Sequence, residues 1–216
     1  MPNIKVKICC ISSIQEAQLA VKYGADAIGL VGNMPSGPGI ISDQLIHDIA
    51  KTVSNSIDTF LLTSETYATS IIDHYKKVNT TTIQIVDKLH ERQYHKIKEK
   101  LPQVKLVQVI HVMDENSIKE AEEITPLVDA ILLDSGNPHL STKELGGTGR
   151  THNWSISKKI RENCNIPIFL AGGINKENVL AAIEQVQPYG IDLCSSVRTN
   201  RQLDESKLEA FFKVLR

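Results

Sequence analysis

The stretch PIFLAGGINKENVLAAIEQVQPYGIDLCSSVR (167–198) holds two short apolar runs, PIFLA (167–171) and GIDLC (190–194). Between them lie a glycine pair and a segment with helical spacing. Asn175 is placed to cap that helix at its amino end. Runs of this length, rich in Val, Ile and Leu, suit buried parallel strands, so the stretch reads as one strand–helix–strand unit. The same unit recurs on the amino-terminal side. Further strand-like runs are IKVKICCI (4–11), AIGLV (27–31), DTFLLT (58–63), TTIQIV (81–86), KLVQVIHV (105–112) and AILLD (130–134). Helix-like segments separate them. In SIQEAQLAVKYGA, Ile14, Ala17, Leu19 and Ala20 form an apolar stripe and Gly24 is a stop signal. A last helix runs from about Glu205 to Val214. Eight such units in 216 residues predict an α/β fold, a single (β/α)8 TIM barrel spanning 1–216. An open doubly wound sheet is the rival, and it usually has fewer strands.

Bulk composition removes several function classes. Lys plus Arg total 24 against 25 Asp plus Glu, without the basic excess of a nucleic-acid binder. The apolar runs are strand-length, and no signal-like or membrane-spanning segment is visible. Cys9, Cys10, Cys164 and Cys194 match neither a disulfide framework nor a zinc site. The reading is a reduced cytoplasmic protein, monomer or homodimer, acting on a small molecule without metal or cofactor.

In such a barrel the carboxyl ends of the strands carry the chemistry. Alternation along the first strand sends Lys7 and Cys9 into the lumen and Cys10 to the other face. A lysine there needs an anion, and Asp192 on the neighbouring eighth strand is the predicted partner. Cys9 reads as a reactive thiol or as a small buried cysteine. Asp134 reads as an acid or as a turn cap. Gly172 and Gly173, and Ser195 and Ser196, follow strands seven and eight, where barrel enzymes frequently hold phosphate. Arg198 stands close enough to add charge. The loop from Ser135 to Asn153, with GGTGR (146–150), has no nucleotide-binding spacing and reads as a lid over the site. The histidines are scattered and read as solvated surface groups.

Taken together, these pieces resemble the phosphoribosylanthranilate isomerase family of tryptophan biosynthesis over essentially the whole chain. The carrying motifs are Lys7-Ile8-Cys9-Cys10, YGADAIGLV (23–31), LLDS (132–135), GGTGRTHNW (146–154) and LAGGINKENV (170–179). The resemblance implies an Amadori rearrangement of an aminoaldose phosphate, with Cys9 as general base and Asp134 as general acid. It also implies a substrate site that includes Lys7, Gln84, Gly147, Gly172, Gly173, Asp192, Ser195 and Ser196. Departures cluster at the aglycone end. Gly39 falls where the family has Arg, Val86 where it has His, and Cys10 where it has Gly. Two other readings stay open: a diverged paralogue acting on another sugar phosphate, and a non-catalytic phosphate-ligand binding protein.

Overall fold

The computed structural model describes residues 4–216. Eight parallel strands close in sequence order: β1 (Lys5–Ile8), β2 (Ala27–Val31), β3 (Asp58–Thr63), β4 (Thr82–Ile85), β5 (Lys105–His111), β6 (Ala130–Asp134), β7 (Ile168–Leu170) and β8 (Gly190–Leu193). The barrel shuts where β1 pairs with β8, Lys7 opposite Asp192. The connecting helices are α1 (Ile14–Tyr23), α2 (Asp43–Thr52), α3 (Ala68–Val78), α4 (Glu91–Lys100), α5 (Asn116–Ile124), α6 (Trp154–Asn163) and α7 (Val179–Val186), and α8 (Glu205–Leu215) packs beside α1. Among the described residues no helix is long and apolar enough to cross a membrane.

Strand alternation builds two apolar layers. Ile8, Ile28, Leu61, Ile83, Leu106 and Ile131 face the helices. Ala27, Phe60, Val107, Ala130, Leu132 and Phe169 fill the lumen. Helix ends follow local chemistry. Ser13 Oγ accepts from Glu16 N to start α1, and Gly24, at φ 110, ends it in the left-handed conformation open to glycine.

Three expectations need correction. The two adjacent cysteines do not point to opposite faces. β1 stops at Ile8 and Cys10 takes φ 62, which breaks the alternation. The Cys10 and Cys9 sulfurs therefore sit 3.8 Å apart on the cavity side, and Ile11 turns outward into the helix-facing core. Asn175 caps a preliminary turn, accepting from Glu177 N and Asn178 N, while α7 itself starts after Asn178. Finally, a short antiparallel hairpin, β9 (Arg198–Thr199) with β10 (Gln202–Leu203), stands between β8 and α8. The sequence reading contained no such element.

Candidate active site

A cavity opens at the carboxyl end of the barrel. Cys9, Gln84, Asp134, Gly147, Gly172, Gly173, Asp192, Ser195 and Ser196 all line it. Lys7 lies one layer below, with no solvent exposure, 3.0 Å from Asp192 Oδ1. The predicted pair is thus present at the β1–β8 seam. Burial works against the Lys7 ammonium, but Asp192 together with the neighbouring cysteines outweighs it, and Lys7 sits above its ordinary pKa. Burial likewise lifts the Asp192 carboxyl, with Lys7 opposing. The contact lacks hydrogen-bond alignment, so Lys7 Nζ and Asp192 Oδ1 keep unspent polar capacity.

The backbone explains why Cys9 reaches this place. Cys9 N donates to Leu193 O at 2.7 Å, extending the β1–β8 ladder past the strand's end. Gly29 on β2 leaves the room. A β-carbon there would stand 2.9 Å from Cys9 Sγ and 3.1 Å from Lys7 Nζ, so thiol and ammonium share the space over one glycine.

Asp134 ends β6 and is 8 % exposed. Its Oδ1 accepts from Ser135 N at 2.8 Å. Burial pushes its carboxyl above the ordinary range, and the Ser135 N–H and the charges of His111 and Lys7 pull back without cancelling the rise. Gln84 on β4 is buried, and its Oε1 has no protein partner. Ser196 Oγ is equally buried and unpartnered.

The β7 turn holds Gly172 at φ 75 and Gly173 at φ 63. The 135–153 loop packs directly on it. A β-carbon at Gly173 would come within 2.8 Å of the Arg150 carbonyl carbon. Thr148 Oγ1 clasps Ser135 Oγ at 2.7 Å, and Gly147 lies against Pro38 of the β2 loop. The loop therefore spans the cavity mouth between the β7 turn and the β2 loop.

Two sequence expectations about charge fail here. Arg198 adds no charge to the turns after β7 and β8. Its guanidinium is buried and spent on Glu16 and on the carbonyls of Cys9 and Cys10, at 3.0 and 2.6 Å. Nor are all the histidines solvated. His152 is held beside Ser157 Oγ at 2.7 Å, and burial lowers its pKa to about 4. His111 ends β5 directly beside Asp134 in register. Its Nε2 donates to the Val86 carbonyl at 3.2 Å, and its Nδ1 is buried without a partner. Val107, Val109 and His111 share one strand face. That two-residue period was the sequence signal for an inward imidazole.

The family model for N-(5'-phosphoribosyl)anthranilate (PRA) isomerase matches residues 6–214. The chain belongs to this isomerase family. The PRA isomerase of Methanosarcina acetivorans is 31 % identical over 98 % of this chain and 93 % of its own. That of Methanothrix thermoacetophila is 31 % identical over 98 % of both chains. Among solved structures, phosphoribosyl anthranilate isomerase from Thermotoga maritima superposes with a TM-score of 0.84 at 26 % identity, covering 98 % of each chain. Another solved isomerase, with a TM-score of 0.81 and 25 % identity over 97 % of each chain, holds reduced 1-(o-carboxyphenylamino)-1-deoxyribulose 5-phosphate. Within this PRA isomerase scaffold, Gly39 and Val86, where the resemblance implies Arg and His, lie close to two residues noted above. Gly39 lies against Cys10, and the carbonyl of Val86 holds His111.

Proposed function

We propose that this PRA isomerase family member carries out the Amadori rearrangement of N-(5'-phosphoribosyl)anthranilate, with Asp134 as general acid and Cys9 as general base. One observation carries the reading: a buried carboxyl and a thiol, on the ends of β6 and β1, face one lidded cavity whose far wall is a pair of phosphate-type turns. The raised Asp134 pKa favours a proton available for the ribose ring oxygen. Ring opening gives a Schiff base. Cys9 then removes the proton from the second sugar carbon, and the enolamine becomes the ketone. The amides of the Gly172–Gly173 and Ser195–Ser196 turns receive the phosphate, and Gln84 Oε1 accepts from a sugar hydroxyl. Lys7 shares the space over Gly29 with the Cys9 thiol, and Asp192 keeps that ammonium oriented.

Turnover of PRA, followed by fluorescence loss, tests the reading. General acid–base groups typically contribute 10²–10⁴-fold, so Cys9→Ala and Asp134→Asn should each lower kcat by about a hundredfold or more. Near-normal rates in both variants would refute these roles. Rescue of a tryptophan auxotroph checks the activity in cells.

A second reading keeps the chemistry and changes the aglycone. The β2–β3 side of the cavity is lined by Val31, Met34, Pro38 and Leu62, and no Lys or Arg lines the cavity among the described residues. An aminoaldose phosphate with an uncharged aglycone fits that wall. Faster turnover of such a compound than of PRA would select this reading. Phosphate binding with no turnover of either compound would mark a binding protein.

A further inference from the structure

Three of the four cysteines meet at the rim of the cavity. Cys10 Sγ lies 3.1 Å from Cys194 Sγ and 3.8 Å from Cys9 Sγ, so Cys10 stands between the other two. The backbone holds Cys10 at φ 62, a conformation that disfavours every residue with a β-carbon. That conformation aims the thiol at Cys194 rather than out toward the helices. Cys194 is half-buried and lines both the main cavity and an annex beneath the β9–β10 hairpin. Cys10's hydrogen bond, with Arg198's charge behind it, lowers the Cys194 pKa despite partial burial. The proposed isomerisation uses Cys9 and leaves the other two thiols idle.

We propose that Cys194 and Cys10 form a peroxide-reactive thiol pair that closes reversibly to a disulfide and keeps Cys9 reduced. A low-pKa, accessible thiol beside a resolving thiol is the arrangement that redox-reactive cysteines share. The Cys194 thiolate attacks one oxygen of a hydroperoxide, the O–O bond breaks, and a sulfenic acid and hydroxide (or an alkoxide) result, the leaving oxygen taking back from solvent the proton that the thiol gave up. Cys10 then attacks the sulfenic sulfur. The S–S bond forms, and hydroxide leaves with the Cys10 proton as a second water. Two thiols are oxidised by two electrons and the peroxide is reduced by two. The sulfurs need about 1 Å of further approach to reach a disulfide's separation of about 2.05 Å. Oxidation that begins at Cys9 travels the same line. Cys10 resolves it, and thiol–disulfide exchange moves the bond to Cys194.

The test uses the full-length reduced protein and one equivalent of hydrogen peroxide. Remaining thiols are alkylated under denaturing conditions and mapped by fragmentation mass spectrometry. The expected product is a Cys10–Cys194 disulfide, with Cys9 and Cys164 alkylated and four thiols recovered after dithiothreitol. Cys164 is a buried thiol outside the cluster and serves as the internal control. In Cys194→Ser, peroxide consumption should slow at least tenfold, and the oxidation that remains should appear as a Cys9–Cys10 disulfide, with no third thiol to release Cys9. First oxidation at Cys9 or Cys164, with Cys10 and Cys194 both alkylated, would overturn the proposal. So would an unchanged rate in Cys194→Ser. The wild-type map needs no variant to fold, and its readout does not depend on any isomerase activity.

Discussion

Asp134 sits among opposing influences: burial raises its pKa, while its backbone bond and nearby charges lower it. In the proposed role of general acid it is active when protonated, so kcat/KM should fall as pH rises through its pKa. His111→Asn removes one lowering influence and should move that alkaline limb to higher pH, as a pH–rate profile would show. The stability consequence has the matching sign. A carboxyl whose folded pKa exceeds its unfolded value contributes stability below the unfolded pKa, and this is lost as pH rises through the folded one. Asp134→Asn should therefore raise Tm at neutral pH while lowering turnover. Cys9 and Asp134 were legible as polar residues ending apolar strands. His111 was not, because a histidine inside KLVQVIHV looks like a surface residue until the alternation of β5 is followed to its end. Gly39 shows the same limit. At φ 82, a β-carbon there would lie 2.6 Å from Cys10 Cβ. The two positions where the resemblance implies Gly and Arg, here Cys10 and Gly39, are thus in contact. Gly39→Arg alone should destabilise the fold, by about 1–3 kcal/mol of overpacking. Adding Cys10→Gly should recover most of that loss, and urea melts of the double-mutant cycle measure the coupling.

The hairpin of β9 and β10 is the element that sequence reading missed. Its turn places Asn200 at φ 50 and Arg201 at φ 68, both left-handed, as tight hairpin turns require. An Arg where glycine is usual hides the signal, and two-residue strands show no alternation. Yet the hairpin carries Arg198, which ties three segments together: the Cys9 and Cys10 carbonyls after β1, Glu16 on α1, and the Arg201 carbonyl in its own turn. Glu16 in turn accepts from Leu203 N and Ser12 N. The side chains of this ion pair are nearly buried, so breaking it from one side leaves a charge without its partner. Arg198→Met should lower stability by about 3–5 kcal/mol. Equilibrium unfolding in urea checks this, and a loss below about 1 kcal/mol would show the strap to be idle. By contrast, the eight strands and their helices were legible because length, apolar content and turn residues all agree. Only their ends shifted, as at α7, where two asparagines compete to start the helix.

At the scale of the whole molecule, order along the chain and order around the barrel coincide, so almost every strand pairs with its neighbour in sequence. The exception is the seam of β1 and β8, which joins the two ends of the chain. The Lys7–Asp192 pair lies on that seam and faces the lumen. Until the seam shuts, both groups stay in water and gain little from each other. Once it shuts, they are desolvated together and each needs the other. The pair therefore belongs to the last step of assembly, after the costly closure of the chain's longest loop. An interaction absent from the transition state acts on the unfolding rate and leaves the folding rate nearly untouched. Lys7→Met should accordingly steepen the loss of native protein in stopped-flow unfolding, while the refolding limb of the chevron stays within about a factor of two. The charged seam would then act as a latch on the finished barrel, setting how long the native state persists more than how fast it is reached.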